Sequence, residues 1–584
     1  MGIPTYFSHI VKTHRTILQE LFKNKHTGND TGNDTCNDTC NVSLTSDPNN
    51  RIDNLYMDCN SIVYDVLRQL TSNSDIKTPY NQQSLDKFES LLCIKTAEKI
   101  HAYIDQISPR KTVMLAFDGI APCAKMEQQR SRRYKSNMDA ILRDKLGDKS
   151  GDGCISESYS FSSISITPGT NFMNKLSNTI KQYFSDAKKF NLDTLIVSCS
   201  DEIGEGEHKI FEYIRANASY HTNTTTVVYG LDADLIMLTL NHLHISKQIY
   251  LFRETPEFIK SIDSSLEPNK LYVLNIPELG DAICAELCAQ NVSGKLRTNI
   301  ISDYILMCFM LGNDFLPHFP GLNIRTVGHA TLMSAYMSII RNGLSTPPKN
   351  DFIGLTDCGR IVWKNVRKFI GELARTEVTN INKDAITRDK MSSSVKRRLF
   401  SNTQDDTVEQ SMDRYLNMPL LDRNIEKFIN PTRDGWQRRY YNTLLRSDNT
   451  PDRVSKICKN YIEGLEWTLL YYSSGCVDWR WTYQYSYPPT IEDLYTHTPY
   501  FDTQFLSPKE PNPVSAHVQL SYVLPRRQLN LLPEEIRTKL LSEMGESYPD
   551  ECEIMWAYCR YIWEAHAELP MLDINRLCDI VSIG

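Results

Sequence analysis

The sequence has no apolar run of membrane-spanning length. Its longest candidate, Tyr304 to Gly312, falls far short of the ~20 residues a transmembrane helix needs. That excludes a membrane protein of the helical kind. No secretory hydrophobic region follows the first residues, and Tyr6 stands where a myristoylation signal needs Ser or Thr. None of the 16 cysteines forms a C-x-x-C pair; Cys36/Cys40 and Cys284/Cys288 come closest. The pattern excludes a zinc ribbon and a disulfide framework. It implies free thiols in a reducing compartment, here the cytoplasm, with the nucleus as the alternative. The sequons at Asn29, Asn33, Asn37 and Asn41 are then not expected to carry glycans. The chain also lacks a positive excess: 64 Lys and Arg face 71 Asp and Glu, a net charge of −7. Any nucleic-acid contact must therefore come from a local basic patch.

What the chain has is size, with 584 residues of which 41% are apolar and 23% charged. Those proportions are ordinary for a soluble protein, and a core of this size needs no disulfide or structural metal. Residues 27–41 repeat a Thr-Gly/Cys-Asn-Asp tetrad without apolar periodicity. With the polar stretch to Asn50 they read as a surface insertion that cannot bury a core. An expanded loop is the simpler reading of the repeat than a calcium site.

Short β-rich runs then end in carboxylates. Asn54 to Met57 leads to Asp58, Thr112 to Phe117 leads to Asp118, and Thr226 to Leu231 leads to Asp232, with Asp234 two residues on. Helical patterns over 60–70, 86–107, 122–146, 168–188 and 205–215 lie between or beside them. Alternation of this kind predicts a parallel-rich α/β sheet flanked by helices. Ligands of such sheets bind beyond the carboxyl ends of the strands. One Asp after a strand is ordinary turn chemistry; the same event on three strands points to a site. Residues 345–460 read as a charged connecting region. The segment 461–500 is rich in Trp and Tyr, and 520–584 reads as helical.

Two further acidic motifs join the set. Gly204-Glu205-Gly206-Glu207-His208 opens a helix, and its glycines allow close approach of backbone or ligand. Asp232 and Asp234, at i and i+2, would share one side of an extended backbone. Asp314 follows an apolar helix in a Gly turn. Together Asp58, Asp118, Glu205, Glu207, Asp232, Asp234 and Asp314 supply hard oxygen ligands suited to Mg²⁺ or Mn²⁺. Two such ions can stabilise the attacking and leaving oxygens of phosphodiester cleavage. Just after Asp118, Pro122 opens a helix. Lys125, Gln129, Arg132 and Arg133 fall on one of its faces, as a phosphate pocket requires. A solvated basic face is the bland alternative, but Glu127 is the lone acid between 125 and 135.

These blocks resemble the Xrn-type 5′→3′ exoribonucleases. The resemblance rests on Met1 to Pro4, Asn54 to Asn60, Phe117 to Tyr134, Ile166 to Thr170, Gly204 to Ile210, Tyr229 to Ile236, Leu311 to His318 and Trp467 to Pro489. It implies a PIN-like nuclease core, related to flap endonucleases, over residues 1–345, carrying the insertion at 27–50. A connecting helical region over 346–460 and a mainly helical second conserved region over 461–584, bracing the active site, would follow. It also implies that the seven acids hold two metal ions and that Lys125, Gln129, Arg132 and Arg133 bind an RNA 5′-monophosphate. Tyr64, where the family usually has His, and Trp481 would sandwich the terminal base, with Pro122 closing the pocket. Cys123 stands where the family commonly has Arg. The chain is expected to end with the conserved core, as a compact, divergent member of viral or protist type.

The expected activity is processive release of nucleoside 5′-monophosphates from single-stranded RNA by a monomer. No partner among decapping or decay factors is specified by the sequence. A flap-type DNA nuclease shares the acid logic, but the Lys-Gln-Arg-Arg stripe argues against it. A silent RNA-binding scaffold is opposed by the presence of all seven acids.

Overall fold

The structure, a computed structural model, describes residues 3, 5–21, 51–72, 81–147, 161–254, 260, 264, 266–267, 270–288, 292–343, 354–400, 407–507 and 512–582. The repeat insertion at 27–50 lies outside these residues.

Seven strands form one sheet: β1 (Leu18–Glu20), β2 (Asn54–Asp58), β3 (Thr112–Ala116), β4 (Thr194–Ser198), β5 (Thr225–Tyr229), β6 (Gln248–Glu254) and β7 (Leu271–Asn275). Their spatial order is β1-β7-β6-β5-β2-β3-β4. β4, β3, β2, β5 and β6 run parallel, whereas β7 is antiparallel to β6 and β1. The strand residues show why both faces are covered. Tyr56, Met114 and Val228 belong to one hydrophobic core, while Leu55, Met57, Val113, Leu115 and Val227 belong to a second. Successive side chains point to opposite faces, so a strand apolar at every position needs helices on both.

The expected helices are present as α1 (Asn60–Ser72), Gln82–Ile107, α2 (Cys123–Gly147), Asn171–Tyr183 and α3 (Gly206–Ala216). The 168–188 pattern is broken, because a 3₁₀ turn at Ala187–Phe190 replaces its end. The region 346–460, expected as a helical connection, contains a helix of 37 residues, Trp363–Leu399. The expected boundary at 460/461 falls inside one helix, α4 (Pro451–Ser473), which packs its aromatic side chains into the first core. The tail is helical at Ala516–Val523, Glu534–Met544 and Ile574–Ser582 but also contains a two-stranded ladder, Glu553–Met555 with His566–Glu568. A third core joins Cys123 and Met126 of α2 to this tail. No helix among the described residues is long and apolar enough to cross a membrane.

Candidate active site

Register places the acids. Asp58, Ala116 and Ser198 are ladder partners at the ends of β2, β3 and β4. Asp118 and Glu205 follow those ends, and Asp232 follows β5. β2 lies between β3 and β5, whose connections leave in opposite directions, so the crevice opens beside Asp58.

Local backbone brings the groups together. Gly206 N donates to Asp118 Oδ1 at 2.8 Å, and a Cβ on Gly206 would lie 2.6 Å from Asp58 Oδ1. Only glycine lets α3 start that close to β2. Asn60 Nδ2 donates to Asp118 Oδ2 at 2.5 Å. Lys209 Nζ donates to the carbonyls of Phe117 and Cys199 at 2.8 and 2.7 Å, which ties α3 to the ends of two strands. Gly312, at φ +88°, allows the turn that presents Asp314, and Asn313 Oδ1 closes it on the amides of Phe315 and Leu316. The extended geometry expected for Asp232 and Asp234 is not found. Ala233 is right-handed helical and Asp234 opens the helix Asp234–Asn241, whose N-terminal dipole favours an acid there.

Lys125 sits among the acids, with Nζ 2.6 Å from Glu205 Oε2 and 2.9 Å from Asp314 Oδ2. Glu205 also accepts from Tyr471 Oη at 2.7 Å, a contact from the second region. Burial and then the charges of Asp118 and Asp232 raise Asp58 well above the carboxylate range. Burial raises Glu207 as well, against Lys125. Burial, helped by Asp314, pushes Asp234 up to about 7. Burial would raise Asp314 too, but Lys125 overrides it and holds Asp314 well below the usual range.

Asp58 Oδ1, Glu207 Oε2 and Asp234 Oδ1 are buried without a hydrogen-bond partner. Such groups cost stability unless a partner arrives. Carboxylate oxygens of Glu205 and Glu207 and a ring nitrogen of His208 lie within 4.8 Å of one another. Glu207 belongs to both sets, and a buried carboxylate oxygen without a partner beside further ligand atoms fits a divalent cation. His208 stacks on Tyr471 at 3.6 Å, and burial holds its ring neutral.

The remaining expected residues divide. Pro122 is buried at the start of α2, where its carbonyl accepts from the amides of Lys125 and Met126. Gln129 is buried with Oε1 unpartnered. Arg133 donates to Thr167 Oγ1 at 2.7 Å and keeps Nη1 unpartnered; burial lowers it to about 10 although Tyr64 lies close enough to oppose the shift. Arg132 is exposed and lines a cavity of ≈ 880 Å³ with Asn313, Asp314 and Arg325. Arg130, from the same basic run, is fully buried and donates to the carbonyls of Pro570 and Ser547. Tyr64 is half-buried against the second core. Trp481 is 7% exposed, stacks on Trp467 at 5.1 Å and abuts Gly464. Trp563, 43% exposed and stacked on Tyr561 at 4.1 Å, lines the cavity together with Phe315, Tyr483, Tyr485, Tyr522 and Tyr561. Sequence reasoning missed Trp563, Asn60, Tyr471 and Lys209. Trp563 shares its stretch with Trp556, Tyr558 and Tyr561, and nothing in that pattern marks which ring is exposed, whereas Asn60 and Lys209 lie inside blocks already singled out.

A parallel-rich sheet delivering clustered acids beside a basic helix defines a PIN-like nuclease core. Residues 1–255 match the family described as XRN 5'-3' exonuclease N-terminus, and 297–424 and 421–582 match the Xrn1 helical domain. The chain belongs to the Xrn family of 5′→3′ exonucleases. It is similar to 5'-3' exoribonuclease 1 of Schizosaccharomyces pombe, at 28% identity over 91% of this chain and 47% of the relative. It is also similar to 5'-3' exoribonuclease 2 of Arabidopsis thaliana, at 27% identity over 100% of this chain and 67% of the relative. Against human 5'-3' exoribonuclease 1 the identity is 28%, over 91% of this chain and 32% of the relative. The chain thus spans about half the length of the fission-yeast relative.

Proposed function

We propose that this chain is a processive 5′→3′ exoribonuclease that hydrolyses 5′-monophosphorylated single-stranded RNA to nucleoside 5′-monophosphates. The observation that carries this reading is the contact of Lys125 with Glu205 and Asp314, which sets a phosphate-binding helix directly against the acid cluster. Names of the relatives support the same activity.

Asp58, Asp118, Glu205, Glu207, Asp232, Asp234 and Asp314 would hold two Mg²⁺ or Mn²⁺ ions. When bound, these would stabilise charge on the attacking and leaving oxygens of the scissile phosphodiester. The protein's own part is placement. Asn60 and the Gly206 amide orient Asp118, and Tyr471 and Lys125 orient Glu205. Gln129, Arg132 and Arg133 receive the terminal phosphate; the unpartnered Nη1 of Arg133 would donate to such a ligand, and the unpartnered Oε1 of Gln129 would accept from water on it. Tyr64, beside Arg133, and Trp563 offer aromatic surface for the terminal base, because Trp481 is packed in the core. Pro122 fixes the start of the helix.

In this reading residues 1–345 are the nuclease core, 346–460 connect it and 461–584 brace the active site, the Tyr471–Glu205 bond being one brace. A monomer acting in the cytoplasm or nucleus, where RNA and free thiols coexist, completes the reading.

Asp232→Ala and Asp234→Ala test the reading. Each should abolish hydrolysis in Mg²⁺ while 5′-monophosphorylated RNA still binds. Near-wild-type turnover in either variant would contradict the metal assignment.

A further inference from the structure

The segment following Tyr558 is held by cations from three separate elements. Arg388 of the long helix donates to Cys559 O at 2.8 Å. Arg325 pairs with Glu564 Oε1 at 2.5 Å, and Glu564 in turn accepts from the amides of Arg560 and Tyr561. Lys135, on α2, donates to Trp563 O and Ala565 O, each at 2.7 Å. Residues Ile562–Glu564 form a 3₁₀ turn whose last carbonyls have no partner within the turn. A cation there is favoured by both hydrogen bonding and the local dipole.

Held in this way, the Tyr561 and Trp563 rings stack at 4.1 Å with 10° between their planes, and the Arg560 guanidinium lies 4.2 Å from the Tyr561 centroid. Arg132, Lys135, Tyr561 and Trp563 line one cavity. Arg132 and Lys135, three residues apart, are neighbours on the helix surface. One rigid helix therefore carries the phosphate-binding arginine on one turn and the anchor of the aromatic stack on the next.

We propose that Lys135 is a positioning residue that ties the Tyr561–Trp563 stack to the phosphate-binding helix, so that the terminal base and terminal phosphate of RNA are gripped at a fixed separation. The inference rests on the exoribonuclease reading and on Trp563 as its base platform. Lys135 does not touch the reacting atoms. It acts by holding two carbonyls of the platform segment, Trp563 O and Ala565 O, at once. The Lys135 role differs from that of Arg132, whose exposed guanidinium is free to meet phosphate. It differs equally from that of Arg130, which joins α2 to other parts of the tail.

The test uses the full chain and two 5′-monophosphorylated RNAs, one with an ordinary and one with an abasic 5′-terminal nucleotide. Lys135→Met should raise KM for the ordinary RNA by roughly 5- to 150-fold, the range set by loss of one base stack, with kcat little changed. On the abasic RNA it should match wild type. Trp563→Ala should show the same split, the double variant should be no worse than Trp563→Ala, and Lys135→Arg should restore KM. A 2-aminopurine at the 5′ end, read in Ca²⁺ without turnover, should be quenched by wild type and Lys135→Arg but not by Lys135→Met. Equal losses of Lys135→Met on both RNAs, or losses additive with Trp563→Ala, overturn the Lys135 role alone. Base-independent behaviour of Trp563→Ala overturns the platform and the Lys135 role with it. Absence of 5′→3′ hydrolysis in wild type overturns the underlying reading.

Discussion

Gly206 and Asp58 compete for the same space: a Cβ on Gly206 would sit 2.6 Å from Asp58 Oδ1 and 3.1 Å from the Ala116 carbonyl. The start of α3 therefore approaches the end of β2 as closely as backbone can, and the amide of Gly206 holds Asp118 at 2.8 Å. Gly206→Ala must push either the carboxylate or the helix away. It should cost ~1–3 kcal/mol of stability, as overpacking does. It should cost far more activity, about 10²-fold for a misplacement on the order of 1 Å. Single-turnover rates beside urea titrations check the split; proportionate losses would place Gly206 in structure alone.

Lys125 pairs with two buried acids, Glu205 and Asp314. Lys125→Met leaves both without their cation, which should destabilise the metal-free protein by ~3–5 kcal/mol. Mn²⁺, binding the folded state alone, should recover part of that loss. Unfolding curves with and without Mn²⁺ provide the measurement, and a variant as stable as wild type without metal would contradict the pairing.

Asp234, raised by burial to about 7, keeps its proton in the metal-free fold at pH values where the unfolded chain has lost it. The folded state then binds more protons than the unfolded state between the ordinary Asp range and about 7. Its contribution to stability is largest below that window and falls as pH rises through it. Metal binding must displace the same proton, so Mn²⁺ affinity should climb as pH rises through that window. Calorimetry in buffers of different ionisation enthalpy should detect proton release on Mn²⁺ binding near pH 6, and less of it in Asp234→Asn; equal release in both would contradict the assignment.

Trp481 and Trp563 should separate cleanly. Trp481→Ala removes a ring stacked on Trp467 and should cost ~3–5 kcal/mol of stability. Trp563→Ala removes a half-exposed ring, so its melting temperature should change little while binding of RNA with an intact terminal base weakens. A stable Trp481→Ala with a specific base-binding defect would reverse the two assignments.

Strand-end carboxylates were legible because short continuous β-rich runs and their acids are local signals, and β2, β3 and β5 lie where those runs predict. The acids' convergence follows from parallel pairing, which brings the ends of β2 and β3 into register. The conformation of Asp232 and Asp234 was not legible, because a two-residue spacing does not reveal that a helix starts between them. Lys125 was legible as part of a basic stripe but not as a partner of Glu205, since that pairing depends on the angle at which α2 crosses the sheet end. Aromatic residues were the least legible. Trp481 and Trp563 carry the same chemistry, and only tertiary packing buries one and exposes the other.

The central claim is a 5′ end read by phosphate before the chain is cut. It is tested most directly by following mononucleotide release from one RNA sequence in Mg²⁺ with a 5′-monophosphate, hydroxyl, triphosphate or cap. The account predicts nucleoside 5′-monophosphates released in order from the monophosphorylated RNA, little release from the other three, and none without a divalent cation. Internal fragments, or equal degradation of all four RNAs, would contradict it.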